Sequence, residues 1–326
     1  MVDELPVFSL DRIDPVRLDA VCRDIGFFIV EDHGIPVAVR DGVFDAARRF
    51  FELDPLQKDA VSIARSPCHR GYVAMAHETL DASRPADAKE AFDLSRDLGP
   101  GHPAVIAGTP LHGPNQWPEL EGFRAATERY FDAGLDAADR IARFLARSLD
   151  LNESFFADRI ADTMTNLRLL HYPPVGDAAT DPDAPGCGEH CDYGMITLLA
   201  VDGVAGLQVR MRSGRVIDID ARPDQLVVNL GDLLARWTGG RWVSTPHRVA
   251  SPVDQHRYSI PLFVNPAFDT VIEPVGAAAG SVASDPAFAR VGAGQYLLSR
   301  FDATHAYRAA EAPSATAEAD SGTVRS

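Results

Sequence analysis

The sequence is poor in cysteine. Four cysteines occur among 326 residues, and no two of them form a Cys-x-x-Cys pair; they are Cys22, Cys68, Cys187 and Cys191. A disulfide-stabilised scaffold is not expected from so few cysteines in a chain of this length. A structural zinc site would need further soft ligands at regular spacing, and the sequence offers none. The cysteines are therefore predicted to be reduced thiols.

Long apolar runs are also missing. No segment approaches the roughly 18–20 apolar residues that a helix needs to cross a bilayer, so no membrane-spanning helix is predicted. The first six residues do not combine a basic stretch with a following apolar run, so no secretory signal is expected. The resulting expectation is a cytoplasmic location.

Positive charge is scarce. The chain has 31 Lys and Arg residues against 47 Asp and Glu residues, which gives a formal net charge of −16. Such a chain repels phosphate backbones and anionic lipids, so binding to nucleic acid or to a membrane surface is not expected.

Apolar residues, in contrast, are plentiful. With 46% hydrophobic and 24% charged residues, the composition is typical of a globular protein with a sizeable core.

The first half of the chain predicts a mainly helical region after one short strand. Asp14 and Pro15 have the residue types that favour an N-cap and a first helical position. The clearest helix covers residues 119–149, where apolar residues keep a 3.6-residue period. Other predicted elements are strands at 7–10, 26–30 and 89–93, and helices at 15–21, 38–53 and 153–160, with loops elsewhere in 64–115.

The second half predicts a β-rich fold. Short runs of β-favouring residues are separated by Gly, Pro and Asp, at 167–172, 197–201, 206–211, 216–219, 225–229, 247–250 and 257–264. Strands at this spacing are typical of an antiparallel sandwich or jelly roll. A helix is predicted over 285–300, with Asp285 as its N-cap. The small and polar residues of 309–326 predict a disordered tail.

A His-x-Asp motif stands before the strand predicted at 197–201. On extended backbone, residues i and i+2 point to the same side. His190 and Asp192 can therefore present an imidazole and a carboxylate to one point. The motif alone is weak, because a loop with a capping aspartate gives the same pattern.

A second histidine strengthens the metal interpretation. His247 enters a later predicted strand, and a jelly roll brings such distant strands together. Two histidines and one carboxylate form the facial triad that suits iron(II) and leaves coordination positions open. Ten residues further on, Arg257 and Ser259 share one face of a strand, and their donors match a carboxylate.

The order of these motifs resembles that of the iron(II)/2-oxoglutarate-dependent oxygenases of the isopenicillin N synthase-like group. The similarity extends from about residue 6 to about residue 305. The segments that carry it are 26–28, 33–36, 70–72, 89–93, 167–174, 190–192, 206–209, 229–232, 247 and 257–259.

The resemblance implies a mainly β fold with flanking helices, in which a double-stranded β-helix, or jelly roll, follows a helical N-terminal region. The corresponding division is an N-terminal oxygenase region at 5–115, buttressing helices at 116–160, the jelly-roll core at 161–268, a C-terminal helical segment at 269–308 and the tail at 309–326.

The resemblance also implies the cofactors and the roles of the site residues. Fe(II), 2-oxoglutarate and O₂ are expected, with ascorbate as reductant. His190, Asp192 and His247 would hold the metal, and Arg257, Ser259 and Tyr172 would contact 2-oxoglutarate. Arg70 and Arg168 would meet a substrate carboxylate or form structural salt bridges, and Phe263 would line the pocket. The expected partner is a small-molecule substrate, with no nucleic acid, membrane or obligate protein partner.

The implied reaction is hydroxylation of a metabolite with release of succinate and CO₂. Desaturation and ring closure stay open as outcomes. The alternatives within the family are an oxidase that does not use 2-oxoglutarate, as in isopenicillin N synthase, and an ethylene-forming enzyme. Two classes outside this chemistry are a non-catalytic barrel and a zinc hydrolase. His33 and His171 are metal candidates by residue type only, and packing roles are expected for both.

Overall fold

The structure of the chain is a computed structural model that describes residues 4–81, 83–161, 164–175, 184–276 and 286–304. Its strands are Val7–Ser9 (β1), Phe27–Glu31 (β2), Gly71–Val73 (β3), Glu90–Leu94 (β4), Asn166–Tyr172 (β5), Cys187–His190 (β6), Ile196–Val201 (β7), Leu207–Arg210 (β8), Val216–Asp218 (β9), Leu226–Leu230 (β10), His247–Val249 (β11), Arg257–Val264 (β12), Val271–Ile272 (β13) and Val291–Gly292 (β14). Its helices are Pro15–Asp24 (α1), Val37–Phe51 (α2), Pro55–Asp59 (α3), Pro103–Ile106 (α4), Phe123–Ser148 (α5), Ser154–Ile160 (α6), Asp232–Trp237 (α7) and Ala293–Thr304 (α8).

Two sheets form the centre of the molecule. The larger has eight strands in the order β1-β2-β10-β7-β12-β5-β4-β3, and the smaller has four in the order β6-β11-β8-β9. Among the described strands, only β1 and β2 pair in parallel. Apolar residues of both sheets, such as Leu170 and Val209, share one buried cluster, so the sheets face each other. The predicted mainly β fold with a jelly-roll core and flanking helices is confirmed.

Strand β12 shows how the sequence separates the helix side of the large sheet from the cavity side. One set of alternate residues packs in the core shared with the helices: Tyr258, Ile260, Leu262 and Val264. The other set lines a cavity between the sheets: Arg257, Ser259, Pro261 and Phe263. The two-residue period of a strand therefore directs polar residues of β12 into the molecule rather than to solvent.

Helix α5 covers the outer face of the large sheet. Its 26 residues include a continuous buried stripe, as the 3.6-residue period predicts. Gly134 lies on this stripe, and a Cβ atom there would stand 2.7 Å from Leu262 Cδ2. The helix can therefore approach β12 closely only because residue 134 has no side chain. Among the described residues, no helix is both long and apolar enough to cross a membrane.

Several sequence predictions for local structure need correction. Gly71–Val73 (β3) and Pro103–Ile106 (α4) lie in the part of 64–115 where loops were predicted. The helix predicted over 285–300 begins only at Ala293, since residues 286–288 form a 3₁₀ turn and Val291–Gly292 pairs as β14. Asp285 lies outside the described residues. Residues 187–190 form a strand, and Asp232 begins helix α7, neither of which was predicted. The five-part division of the chain stays a prediction, and its last part, 309–326, lies outside the described residues.

Candidate active site

Side chains from two distant segments of the sequence meet at the edge of the small sheet. His190 ends β6 and His247 begins β11, and the two are register partners in antiparallel pairing. Asp192 follows two residues after His190. One ligand atom from each of the three lies within 4.8 Å of the others. The Asp192 Oδ1 atom is 3.7 Å from Nε2 of each histidine, as is reasonable for atoms that each bind one ion at about 2 Å.

Backbone carbonyls orient both imidazoles. His190 Nδ1 lies 2.8 Å from the carbonyl oxygen of Gly188, and His247 Nδ1 lies 3.1 Å from that of Thr245. Each Nδ1 therefore carries the proton and donates it, which leaves the Nε2 lone pair for a metal ion. Such a hydrogen bond on the far nitrogen is the usual support of a metal-binding histidine.

Side-chain hydrogen bonds orient Asp192. Its Oδ2 atom accepts a hydrogen bond from Asn229 Nδ2 at 2.7 Å and another from Thr197 Oγ1. Burial alone would raise the pKa of Asp192, but His247 and His190 and these two hydrogen bonds hold the pKa below its usual value. The carboxylate is therefore ionised, with Oδ1 directed to the two imidazoles.

His247 is neutral at ordinary pH. The pKa of His247 is lowered to about 4, mainly by burial and to a smaller extent by the neighbouring His190. A metal ion would therefore bind His247 without displacing a proton from its imidazole. The donor set of two imidazoles and one carboxylate is the one that open iron(II) sites use, so the residues present fit the predicted metal.

A buried cavity extends from this triad between the two sheets. It touches all three residues of the triad at one part of its wall, and Tyr172, Arg257 and Ser259 at another. Arg257 is only 1% exposed. Its Nη1 donates to Ser259 Oγ at 3.2 Å, and its Nε donates to the Val204 carbonyl at 3.2 Å. The predicted Arg257–Ser259 pair is thus formed and faces the cavity.

A second cavity opens on the other side of the triad. Its empty volume is about 730 Å³, open solvent included. It touches His190 and Asp192, together with Arg70 and Arg168. Phe263 lines both cavities, so its ring lies at their junction beside the metal position.

The two arginines predicted to meet the substrate differ in their surroundings. Arg70 donates through Nη1 to the carbonyls of Cys68 and His69 and through Nη2 to that of Leu111. Arg168 donates to Glu78 at 3.0 Å. Arg70 therefore fixes loops in the cavity wall, whereas Arg168 belongs to a buried ionic cluster.

Sequence reasoning missed most of that cluster. Lys89 is fully buried and contacts Asp87 at 2.5 Å and Glu78 at 3.1 Å, and its Nζ lies 3.2 Å from Cys187 Sγ. Burial works against the charge of Lys89, but Cys187, Glu78 and Asp87 hold its pKa well above the usual value. Glu78 thus joins Lys89 to Arg168. No local pattern marks contacts that join residues about ninety positions apart.

Two other histidines lie away from the triad. His33 Nδ1 accepts from the Ile35 amide, and His171 Nδ1 lies 2.7 Å from Glu90. The expected packing roles agree with these positions.

A jelly roll with a buried two-histidine, one-carboxylate centre and two adjoining cavities defines a non-haem iron oxygenase. The profile described as the N-terminal region of non-haem dioxygenases in morphine synthesis matches residues 16–120. The profile of the 2OG-Fe(II) oxygenase superfamily matches residues 163–266. The chain belongs to this superfamily, and is an Fe(II)- and 2-oxoglutarate-dependent dioxygenase that uses O₂ to oxidise a small molecule.

Individual relatives agree with this assignment. A 2-oxoglutarate-Fe(II) type oxidoreductase of Aspergillus fumigatus is 36% identical over 79% of this chain and 77% of its own length. A homoarginine-6-hydroxylase of Glycine max is 33% identical over 87% of each chain. The crystal structure of a Neurospora crassa protein in complex with alpha-KG and thymine superposes with a TM-score of 0.77, at 29% identity, over 92% of this chain and 96% of that one.

Proposed function

We propose that His190, Asp192 and His247 bind the catalytic iron(II). We further propose that the first cavity binds 2-oxoglutarate, with its distal carboxylate on Arg257 and Ser259, and that the second cavity receives the substrate. Iron(II) and 2-oxoglutarate, when bound, supply the oxidising chemistry, in which reduction of O₂ is coupled to release of succinate and CO₂. The chain itself supplies binding, orientation and exclusion of water.

The observation that supports this proposal best is the surroundings of Arg257. The guanidinium group is buried, and among the described residues no carboxylate forms an ion pair with it. An unpaired buried charge is costly. A dicarboxylate in the first cavity would supply the missing anion in the fork geometry that arginine favours. The triad at the other part of the cavity wall would then meet the keto-acid end.

The residues between the two cavities support hydroxylation. His190, Asp192 and Phe263 line both cavities, so a substrate in the second cavity lies next to the metal position. Asp192 fills the carboxylate position of the triad. This carboxylate occupies the position that a halide would take, which argues against halogenation. Oxygen insertion into a C–H bond is therefore the proposed outcome.

The compartment and the reductant are also proposals. The four cysteines are free thiols, and a site for iron(II) is suited to a reducing compartment. A cytoplasmic location and ascorbate as reductant are therefore proposed. A small molecule is the proposed partner, and no protein partner is required for the triad or for either cavity.

Succinate release provides the test. With iron(II), 2-oxoglutarate, ascorbate and air, the wild-type chain is expected to form succinate, faster once a substrate is present. Arg257→Gln is expected to raise the half-saturating 2-oxoglutarate concentration by about 10–100-fold, because a charge-assisted bidentate contact contributes about 1.5–3 kcal/mol. Arg65→Gln, a change of an exposed arginine, is the matched control. Equal half-saturation for Arg257→Gln and the control would overturn the proposed co-substrate site.

A further inference from the structure

Two polar residues of β5 reach the second cavity. Asn166 and Arg168 are two positions apart, so their side chains lie on the same face of the strand. Both line the cavity that adjoins His190 and Asp192. The residue between them, Leu167, packs on the helix side of the sheet instead. The cavity therefore meets an amide and a guanidinium side by side.

Asp93 fixes the orientation of the Asn166 amide. The Asn166 Nδ2 atom donates to Asp93 Oδ1 at 2.6 Å. A carboxylate accepts hydrogen bonds only, so the amide nitrogen must be the atom that faces it. The amide oxygen, Oδ1, then points away from Asp93. It is buried, and among the described residues it has no hydrogen-bond partner. Asn166 thus presents an unused acceptor.

Arg168 presents the matching donor. Its Nη1 donates to Glu78 Oε1 at 3.0 Å, and its Nε lies 3.3 Å from Asp93 Oδ2. Its Nη2 is buried and has no hydrogen-bond partner in the described part of the chain. The side chain of Arg168 is only 10% exposed. Its Nη2 group is therefore fixed in position and shielded from bulk water.

The charge of Arg168 is already balanced. Glu78 and Asp93 both contact its guanidinium, and Lys89 bridges Glu78 to Asp87. Of these charged residues, Glu78 and Arg168 line the cavity, whereas Asp93, Lys89 and Asp87 lie behind its wall. Arg168 therefore offers the cavity a hydrogen-bond donor without an excess of positive charge.

From this geometry we propose that the substrate carries a neutral amide-type group, –C(=O)–NH–, as in a carboxamide, a lactam or a cyclic ureide. Its carbonyl oxygen accepts from Arg168 Nη2, and its N–H donates to Asn166 Oδ1. The proposal rests on the proposed function, since it assumes that the second cavity is the substrate site. It replaces the carboxylate that the sequence suggested for Arg168.

The alternatives fit the pair less well. A carboxylate brings two acceptors and no donor, so it leaves Asn166 Oδ1 unpaired and lies close to Glu78. An amidinium brings donors only and leaves Arg168 Nη2 unpaired. A buried group left without a partner costs more than a hydrogen bond gains, so the pair discriminates in favour of a ligand with one acceptor beside one donor.

The test is a binding ranking with four compounds of one skeleton: benzamide, acetophenone, benzoate and benzamidine. The chain is loaded with iron(II) and 2-oxoglutarate without oxygen, and dissociation constants are measured by calorimetry. Benzamide is expected to bind at least about tenfold more tightly than each of the other three, since one hydrogen bond of about 1.4 kcal/mol gives a factor of ten. Equal or tighter binding of benzoate, acetophenone or benzamidine overturns the proposal, as does the absence of benzamide binding.

A variant assigns the preference to Asn166. In Asn166→Ala the ratio between the benzamide and acetophenone constants is expected to fall to about one, whereas Asn152→Ala, a change of an exposed asparagine, keeps the wild-type ratio. An unchanged ratio in Asn166→Ala overturns the proposal.

The visible absorption of the iron(II)–2-oxoglutarate chelate is recorded for every sample. Its absence from the wild-type chain would mean that the proposed cofactor site fails, whereas its presence with a wrong ranking would reject only the amide assignment. The ranking of the four compounds is measured on the wild-type chain, so it remains a valid test even if a variant fails to fold.

Discussion

The guanidinium carbon of Arg257 lies 4.9 Å from the centre of the Tyr172 ring. The two residues are register partners on the neighbouring strands β12 and β5. Both are almost fully buried, and both line the first cavity. The ring therefore restricts the guanidinium to the cavity side of the sheet, where a cation over an aromatic face is stabilised. Arg257 is held in place before any ligand arrives.

Removal of the Tyr172 ring is the first test of this arrangement. Tyr172→Leu is expected to raise the half-saturating 2-oxoglutarate concentration by about tenfold, because a desolvated cation–π contact contributes about 1–2 kcal/mol. Tyr172→Phe keeps the ring and is expected to stay within about threefold of the wild type. Succinate formation measured against 2-oxoglutarate concentration distinguishes the two. Equal effects of the two substitutions would show that the ring does not position Arg257.

The hydrogen bond from Asn229 to Asp192 gives the second prediction. Asn229→Ala leaves all three proposed ligands in place but removes the donor that orients the carboxylate. Iron(II) affinity is expected to fall by about 10–100-fold, as for other supporting contacts of metal ligands. A competition titration with a metal-binding dye measures it. Asn152→Ala is the control, and an affinity equal to that of the control would contradict the supporting role of Asn229.

The third prediction concerns stability and pH at Glu90. Its carboxylate accepts from Tyr72 at 2.6 Å and Lys58 at 2.8 Å and contacts His171 at 2.7 Å. Burial alone would raise the pKa of Glu90, but His171, Lys58 and Tyr72 together hold it below the usual value of 4.5. A lowered pKa contributes stability that is present above pH 4.5 and disappears as the pH falls through the folded-state value.

Glu90→Gln is therefore expected to lower the free energy of unfolding by about 2 kcal/mol at pH 7. The difference from the wild type should shrink as the pH falls below about 4.5. Urea unfolding at several pH values measures it, with the exposed Glu119→Gln as control. A difference that stays constant from pH 7 to pH 3 would show that the ionised carboxylate is not the stabilising species.

Helices and strands could be predicted from the sequence where the local periodicity of apolar residues determines them. The bounds of β12 were predicted as observed, and helix α5 was predicted within four residues at its start and one at its end. Both elements have strong periodicity, and in β12 the alternation also separates the cavity residues from the core residues. The predicted start of α8 was wrong, because Val291–Gly292 pairs with β13. The periodicity of the sequence does not reveal such a pairing.

The site was predictable only where a motif marks it. The residues of the triad and the Arg257–Ser259 pair follow from residue type and spacing, and the fold brings them together. Asn229 was named only within the segment 229–232 that carries the resemblance, without a role of its own, although its amide contacts Asp192. The partners of Arg168 could not be predicted, since Glu78 and Asp93 precede it by 90 and 75 positions. Long-range pairing of this kind depends on the registers of β3, β4 and β5, which no local pattern determines.

Iron binding by His247→Ala tests the central claim most directly. Titration with iron(II) and then 2-oxoglutarate, without oxygen, is expected to show one iron per wild-type chain and the visible absorption of the chelate. In His247→Ala the absorption should be absent and the iron(II) affinity should fall by more than the roughly 10–100-fold that loss of a supporting contact causes. His77→Ala, a change of an exposed histidine, should behave as the wild type. Wild-type iron affinity and absorption in His247→Ala would contradict the assignment of the metal site.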